Sequence, residues 1–300
     1  MLPTFFVVNP HSGKGDPKGV VSLIHEHFKD KGISYEVFVS GKRGDIPETA
    51  AAASKKFPIV VAAGGDGTVN EVANGLIGTS AAMGIVPVGS GNDFTKAVKY
   101  PSRPSDCLEV IARQKRLSID AGYIKAIADD GDSRERYFVN AAGIGLDALV
   151  ASRAANIGWV RGVTKYAIAA SGVLFSYKPG ISIAESHEFR SEGRHLLICV
   201  GNGICSGGGF YLTPHAKLDD GLFDVCMAKD LSTQQIMKIL PFVFVGKHER
   251  FANIRMERTA AVKIRSEENL AVHLDGEILG LAFRQMEISV LRGGLDVVIP

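Results

Sequence analysis

The sequence predicts an α/β protein with an N-terminal doubly wound parallel sheet domain and a C-terminal, mostly antiparallel β domain. Over the first hundred residues, short apolar runs alternate with amphipathic stretches, the βαβα pattern of a parallel sheet wound with helices. From Leu117 onward, strand-like runs separated by turns dominate instead. This change predicts a domain boundary near residue 118, with domains 1–118 and 119–300, and a last strand (295–299) that could return to the first domain.

The predicted elements of the first domain alternate along the chain. Apolar runs predict four strands, at 5–10, 33–40, 57–63 and 83–88. Helical spacing predicts helices at 18–31, 44–54, 68–77, about 92–99 and 105–113. Thr68 and Glu71 match a T-x-x-E capping box, which is expected to start the third helix, and Gly78 is expected to end it.

The second domain consists mainly of predicted strands. They lie at 117–127, 136–142, 181–189, 194–202, 221–228, 260–266, 270–274, 286–291 and 295–299. The stretch 143–148 matches G-x-G-x-x-A, but the acidic residue of a dinucleotide fingerprint is missing and 163–177 looks helical. We therefore interpret 143–148 as a turn into a helix.

Composition excludes several classes of protein. The 300 residues carry a formal net charge of only +2 and no dense basic run, which argues against nucleic acid as a partner. The four cysteines lack zinc or CxxC spacing, as expected in a reducing compartment. The N-terminus lacks the pattern of a signal peptide, and no apolar stretch is long enough to span a bilayer. The expected location is the cytoplasm, with peripheral contact on the inner face of the membrane.

Three glycine-rich turns follow strands of the first domain, at 11–15, 64–67 and 89–91. Because the carboxyl ends of parallel strands meet at one edge of a sheet, where ligands bind, we expect these turns to converge. Glycines before a helix leave N–H groups available to an anion such as phosphate. Asp66 lies within the central turn, and a carboxylate beside phosphates calls for a cation. For a single such turn, an ordinary strand–turn–helix is the alternative interpretation.

Two acidic turns in the second domain are further candidates. Asp219, Asp220 and Asp224 surround a glycine turn, and carboxylates with loop carbonyls can bind a hard cation. Asp275 and Glu277 flank Gly276 after a strand, and such a pair can divide into a group that orients and a group that accepts a proton. A solvated acidic turn is the alternative in both cases.

Five motifs occur in one order along the chain. They are Asn9-Pro10-x-Ser12-Gly13, Gly64-Gly65-Asp66-Gly67-Thr68-Val69-Asn70-Glu71, Gly89-Ser90-Gly91-Asn92-Asp93-Phe94, Asp219-Asp220-Gly221 and Leu274-Asp275-Gly276-Glu277. Together they resemble the diacylglycerol kinase catalytic family, in particular its small soluble bacterial lipid kinases, from about residue 4 to residue 299. The resemblance implies that the second domain is a β-sandwich and that the active site lies in the cleft between the domains.

The resemblance also implies residue roles, with ATP and Mg²⁺ as cofactors. Glu277 would be the general base, and Asp275 beside it would also be needed for activity. A structural magnesium would be held by the Asp220 side chain and the carbonyls of Lys217 and Leu222. The ATP contacts implied are Asn9, Pro10, His11, Ser12, Gly13, Ser40, Gly64, Gly65, Asp66, Gly67, Thr68, Val69, Asn70 and Ser90. Ser40 and Ser90 stand where relatives usually carry Thr, and His273 replaces a polar residue, commonly Asn.

Two other classes of function share some of these features. NAD kinases and phosphofructokinases also use a G-G-D-G loop, so a kinase of a soluble substrate is one alternative; a non-catalytic nucleotide- or lipid-binding module is another. A lipid substrate requires a surface that docks on the membrane. The candidate is the cationic and aromatic segment 153–178, which contains Arg153, Trp159, Arg161, Lys165, Tyr166, Phe175, Tyr177 and Lys178. The oligomeric state stays open, a homodimer included.

Overall fold

The computed structural model describes residues 2–12, 17–42, 44–155, 157, 168–169, 172–173, 177–229 and 231–300. The chain is divided into two compact units. Unit 1 comprises Met1–Asp120 and Arg292–Pro300, and unit 2 comprises Ala121–Leu291. The C-terminal residues therefore belong with the N-terminal unit. No helix among the described residues is both long enough and apolar enough to cross a lipid bilayer.

Unit 1 contains a parallel sheet whose strands alternate with helices. The elements are β1 (Thr4–Val8), α1 (Pro17–Asp30), β2 (Tyr35–Val39), α2 (Asp45–Ser54), β3 (Ile59–Gly64), α3 (Asp66–Leu76), β4 (Ala82–Pro87), α4 (Asp93–Ala97) and α5 (Pro104–Arg113). The strand order is β2-β1-β3-β4, and the end of the last strand of the chain pairs in parallel with β4 at 296–297. The predicted doubly wound parallel sheet is confirmed.

Burial explains why β3 and β4 read as continuous apolar runs. Every residue of both strands is buried, as expected for parallel strands covered by helices on both faces. Helices α1 and α5 contact each other, and so do α2 and α3. Gly75 permits the second contact, since a Cβ there would collide with the Pro47 carbonyl of α2.

The predicted start of α3 is wrong. The helix begins at Asp66 rather than Thr68, and its N-cap, Gly65, has no side chain with which to cap the helix. Thr68 lies inside the helix, where its hydroxyl accepts a hydrogen bond from the Asn9 side chain (3.0 Å) instead of capping. The helix ends at Leu76, ahead of Gly78. The Thr68 hydroxyl therefore bonds to a residue 59 positions away in the chain and does not form the capping box that the T-x-x-E motif predicted.

Unit 2 contains mainly antiparallel strands. Its elements, two of which extend into unit 1, are β5 (Arg116–Ala128), β6 (Ser133–Phe138), β7 (Ala141–Gly145), α6 (Leu146–Ala155), β8 (Ile181–Glu185), β9 (Arg190–Gly201), β10 (Phe223–Lys229), α7 (Thr233–Val243), β11 (Ile254–Thr259), β12 (Ala261–Leu274) and β13 (Glu277–Val298). Strand β9 pairs with β8 over 190–194 and with β7 over 197–201. Strand β12 pairs with the same two strands. These long strands link the two layers of a β-sandwich, which confirms the predicted fold class.

Alternation along the strands separates two apolar cores in unit 2. On β10, Val225 and Met227 face the core between the strands, whereas Cys226 faces a second core under α7. A capping box at Ser232 and Gln235 starts α7. The sandwich thus carries helices over one face, and this arrangement encloses an apolar cavity.

Several predicted strand boundaries in unit 2 are wrong. The predicted strands 260–266 and 270–274 correspond to the single strand β12, which begins at Ala261, and 286–291 and 295–299 correspond to parts of β13, which ends at Val298. The predicted strand 136–142 is divided between β6 and β7, and β11 was not predicted. The boundaries were predicted wrongly because polar residues inside these long strands resemble the residues of turns. The predicted turn into a helix at 143–148 is present, since β7 leads directly into α6. Most of the predicted helix 163–177 lies outside the described residues.

Candidate active site

The glycine-rich turns of unit 1 meet at the carboxyl edge of the sheet. Strand order reverses between β1 and β3, and such a switch point is where doubly wound sheets bind ligands. The turn after β1 is joined to the start of α3 there. Ser12 Oγ accepts a hydrogen bond from the Gly65 N–H (3.3 Å). The predicted convergence is therefore observed for the described part of the first turn; Gly13 lies outside the described residues.

Asp66 joins the second and third turns. Its two carboxylate oxygens accept hydrogen bonds from the N–H groups of Asn92 and Asp93, each at 2.7 Å. The two glycine loops also touch through their backbones, because a Cβ on Gly89 would lie 2.5 Å from the Gly65 Cα. Asp66 thus holds two glycine-rich loops together, which the sequence did not reveal.

A cavity of about 580 Å³ opens beside these turns. Its lining includes Asn9, Ser12, Gly89 and Asn92. Pockets for small molecules are typically about 300–1,000 Å³, so the volume suits a nucleotide. The lining contains no residue of α3, but the first N–H groups of that helix have no partner within the helix and can donate to an anion at its N-terminus.

The remaining predicted ATP contacts have different surroundings. Val69 and Asn70 are buried within α3, whereas Ser90 is exposed. The Ser40 hydroxyl donates to Asp45 at 2.6 Å, at the start of α2. Desolvation raises the pKa of Asp45, but this bond and three backbone N–H donors outweigh it and lower the pKa below its usual value. Ser40 is therefore engaged in shaping its own loop.

The two carboxylates predicted in unit 2 lie on a two-residue β-hairpin. Asp275 and Gly276 both have positive φ (51° and 89°), as a type I′ turn requires, and they join β12 to β13. Glu277 is the first residue of β13 and pairs with Leu274 in the ladder. Its side chain is exposed, and no hydrogen bond or ion pair of the described residues involves it. The hairpin therefore presents one exposed carboxylate that has no side-chain partner among the described residues.

The environment of Asp275 is the opposite. Its side chain is 7% exposed, and its carboxylate accepts hydrogen bonds from the N–H groups of Val139 (3.0 Å), Asn140 (2.9 Å) and Ala141 (2.9 Å). The Asp275 N–H donates in return to the Ala141 carbonyl (2.8 Å). The carboxylate is saturated by backbone donors and anchors the hairpin to β7.

A second anchor of the hairpin was missed by the sequence analysis. The Gly276 N–H donates to His273 Nδ1 (3.2 Å), so the ring proton lies on Nε2, which donates to Asp147 (2.9 Å). His273 is 1% exposed. Gly143 leaves room for the pair, since a Cβ there would collide with both side chains. Only the proximity of His273 to the hairpin was visible in the sequence; Asp147 lies 126 residues away.

The predicted magnesium residues do not offer a free carboxylate. Asp220 carries a carboxylate that forms an ion pair with the Arg258 guanidinium and accepts a hydrogen bond from the Leu222 N–H (3.1 Å). Within the described residues there is no group of three or more His, Cys, Asp or Glu placed to hold a metal. Carboxylate and carbonyl oxygens suit a hard cation, but here an arginine already neutralises the carboxylate. The residues as placed therefore do not fit a bound Mg²⁺, and this site stays a prediction.

Two domain families match the sequence. The profile of the diacylglycerol kinase catalytic domain matches residues 3–124, and that of the YegS C-terminal NAD kinase β-sandwich-like domain matches 140–298. A diacylglycerol kinase of Mycobacterium tuberculosis is 28% identical over 98% of this chain and 94% of its own length. A "probable lipid kinase YegS-like" of Xanthomonas euvesicatoria is 31% identical over 83% of this chain and 82% of its own.

Solved structures show the same fold. A protein of Bacillus anthracis assigned as a diacylglycerol kinase superposes with a TM-score of 0.81 at 23% identity, covering 99% of this chain and 95% of that one. Yeast NADH kinase in complex with NADH superposes with a TM-score of 0.56 at 9% identity, covering 100% of this chain and 84% of that one. At these identities the likeness concerns the fold alone.

Proposed function

The chain belongs to the diacylglycerol kinase catalytic domain family and is a lipid kinase, and from this premise we propose that it transfers the γ-phosphoryl group of ATP to the hydroxyl of diacylglycerol or a related lipid, giving phosphatidic acid. The observation that carries the proposal is the Asp-Gly hairpin. It presents Glu277 as an exposed carboxylate without a partner among the described residues, while Asp275 is buried and saturated. A proton acceptor held on a rigid turn is what an alcohol-phosphorylating enzyme needs.

Unit 1 would bind the nucleotide. Phosphoryl transfer depends mainly on positioning and on donors that stabilise charge on the phosphate oxygens. The N–H groups at the start of α3 would supply those donors, and Asp66 would keep the 89–93 loop in place beside them. Mg²⁺ would enter with ATP, as part of the substrate complex, on the β- and γ-phosphate oxygens.

Unit 2 would activate the acceptor. The lipid hydroxyl oxygen forms a bond to the γ-phosphorus while the bond from that phosphorus to the bridging oxygen of ADP breaks. The hydroxyl proton passes to the Glu277 carboxylate, which then releases it to water. Asp275 and His273 would act as positioning residues, because both hold the backbone of the hairpin rather than exposing a group to the substrate.

A substrate panel tests this proposal. Purified protein is incubated with radiolabelled ATP and Mg²⁺, together with diacylglycerol in mixed micelles, NAD or fructose 6-phosphate. We expect phosphatidic acid from the first and no labelled product from the others. Phosphorylation of NAD or the sugar phosphate, with no product from any lipid, would contradict the assignment and favour a kinase of soluble substrates.

Docking on a membrane is part of the same proposal. Of the candidate segment 153–178, Trp159, Arg161, Lys165, Tyr166 and Phe175 lie outside the described residues. Flotation with zwitterionic and anionic vesicles tests docking. Binding to anionic vesicles that weakens with salt is the expected result, and equal flotation of an Arg161→Glu/Lys165→Glu variant would reject this segment.

A further inference from the structure

Helix α7 and the turn after it leave apolar side chains on the surface of unit 2. Met237 is 59% exposed and Val245 is 61% exposed, the two highest values among the exposed large hydrophobic residues of the described chain. Pro241, halfway between them, is exposed as well. The C-cap residue Phe244 keeps helical dihedral angles, so the helical spacing reaches Val245. Residues four positions apart lie on one side of a helix, and these three side chains therefore form one apolar surface, the α7 stripe.

The α7 stripe is not part of the core of unit 2. The inner side of α7 supplies that core with Ile239 and Val243, which are buried. Ile236 packs against a second apolar cluster, under α6. Single exposed hydrophobic side chains are common on proteins, whereas apolar residues that adjoin one another on the outer side of a helix indicate a surface for interaction.

Basic side chains lie beside the α7 stripe. Lys238 follows Met237 directly, and Lys247 comes two residues after Val245. Both lysines are exposed, and neither side chain forms an ion pair or a hydrogen bond with any described residue. The stretch 231–250 contains three basic residues and one acidic one, which gives it the same net charge of +2 as the whole chain. Such a surface suits a partner that is apolar inside and negatively charged outside.

We propose that the α7 stripe docks on an anionic lipid bilayer. Met237, Pro241 and Val245 enter the interfacial layer, and the two lysines reach the lipid phosphates. The apolar side chains contribute by leaving water, and each basic side chain near an anionic surface strengthens binding about fivefold. The inference rests on the proposed function, because a kinase of membrane lipids reaches its acceptor at a bilayer, and it names a surface that brings the protein there.

A bilayer fits this surface better than a second copy of the chain does. In a twofold interface the same patch of both copies meets, so the lysines of one copy approach those of the other. Stable interfaces also bury about 1,200 Å² or more in total, which three side chains do not supply. On a bilayer, the methylene stems of Lys238 and Lys247 cover apolar surface while their ammonium groups stay with water and phosphate.

The α7 stripe adjoins the segment 153–178, which was considered above for docking. Ile157 and Tyr177 of that segment pack against the same apolar cluster as Ile236 of α7. The two surfaces are therefore neighbours in unit 2. Variants that change only α7 and the turn after it separate their contributions.

The first variant removes apolar surface without changing the charge. Met237→Gln/Val245→Gln replaces two exposed side chains, so the melting temperature should stay close to that of the wild type. Leu2→Gln is the matched control. Leu2 is 42% exposed and precedes β1, at the edge of the sheet opposite the glycine-rich turns.

The second variant, Lys238→Gln/Lys247→Gln, removes two positive charges beside the stripe. Lys55→Gln/Lys56→Gln is its matched control and changes the net charge equally. Lys55 and Lys56 are exposed at the end of α2, and their side chains also form no ion pair or hydrogen bond with a described residue.

Flotation measures docking without ATP or acceptor lipid, on vesicles of phosphatidylcholine alone or mixed with phosphatidylglycerol. The partition coefficient on the mixed vesicles should fall about 10-fold or more in Met237→Gln/Val245→Gln. It should fall about 25-fold in Lys238→Gln/Lys247→Gln at low salt, from about fivefold for each lysine, and less at high salt. Wild-type flotation of either α7 variant overturns the proposal. Equal losses in a variant and its control, or a wild-type protein that binds neither vesicle, overturn it as well.

Activity separates this inference from the proposed function. Dihexanoylglycerol dissolved as monomers needs no docking, whereas diacylglycerol in vesicles does. We expect both α7 variants to keep the wild-type kcat/KM with the monomer and to lose activity on vesicles. Loss of flotation in a protein that phosphorylates neither lipid rejects the kinase function and retains the docking surface. Wild-type flotation by the variants of an active lipid kinase rejects the docking surface alone.

Analytical ultracentrifugation tests the second copy as the occupant. The wild type and Met237→Gln/Val245→Gln should sediment alike. A wild-type dimer that becomes monomeric in the variant, with unchanged flotation, shows that the stripe joins two copies and overturns the proposal.

Discussion

Replacing Asp275 by Asn tests how the hairpin that carries Glu277 is held. Asn has the same shape and tolerates the positive φ of 51°, so the turn itself is not strained. The amide oxygen can still accept from Asn140 and Ala141, but as a neutral acceptor, which loses about 1 kcal/mol for each bond. The amide NH₂ then faces the Val139 N–H, and that unpaired buried donor costs a further 1–3 kcal/mol or so. The expected loss is about 3–5 kcal/mol.

Glu277→Gln is the matched control, an equivalent change two residues away on an exposed side chain. Its effect on the free energy of unfolding should stay within about 0.5 kcal/mol, as for other surface substitutions. Its kcat should fall roughly 10²–10⁴-fold, the usual range for a general base, while ATP still binds. The measurements are urea unfolding and initial rates with diacylglycerol, both well below the unfolding midpoint of the Asp275→Asn protein.

The two variants are expected to separate stability from chemistry. If Asp275→Asn unfolds at the same urea concentration as the wild type, the three backbone hydrogen bonds do not stabilise unit 2 and the reasoning is wrong. If folded Glu277→Gln turns over at a near-normal rate, Glu277 is not the proton acceptor. If both variants lose activity and only Asp275→Asn loses stability, the division of roles on the hairpin is supported.

Three other variants address the loops and the acidic turn. Asp66→Asn should raise the KM for ATP about 10-fold in initial-rate assays, because a charged acceptor of two backbone N–H groups is lost; an unchanged KM contradicts this. Gly89→Ala should lower the melting temperature and raise the KM for ATP, because its Cβ would lie 2.5 Å from the Gly65 Cα. Gly41→Ala is the control: a Cβ on Gly41 meets nothing within 4 Å, so both assays should give the wild-type result. Asp220→Ala should lower the melting temperature, because losing the ion pair with Arg258 reduces the free energy of unfolding by about 1 kcal/mol or less. This decrease should be the same in Mg²⁺ and in EDTA. If EDTA instead lowers the melting temperature of the wild type but not of the variant, the site binds a metal.

Much of the fold could be predicted because its signals are local. The apolar runs of β3 and β4 and the amphipathic stretches between them identify a parallel sheet, and the rule that ligands bind at the carboxyl ends of its strands identifies the loop cluster. Strand boundaries in unit 2 were less predictable. Strand β12 continues through its polar stretch 266–269, although its pairing with β13 shifts register between Arg265 and Leu270 and only Ser266 of that stretch pairs with β8. No local property of those residues indicates that the strand continues.

The candidate residues follow the same division. The sequence by itself predicted that Asp66, Asp275 and Glu277 lie beside glycine turns that follow strands. It could not determine what each carboxylate does, because their partners are distant in the chain. Asp66 binds N–H groups 26 and 27 residues away, and Asp275 binds groups 134–136 residues away.

The sequence alone therefore determined the two-domain α/β and β architecture and the position of the glycine-rich loops, since apolar period and glycine spacing act over a few residues. Only the tertiary structure decided that Asp275 anchors while Glu277 stays exposed, that Asp147 and His273 support the hairpin, and that α6 and α7 close an apolar cavity over β9 and β10. Burial and hydrogen-bond partners depend on which distant segments of the chain pack together, and a single sequence does not specify that packing.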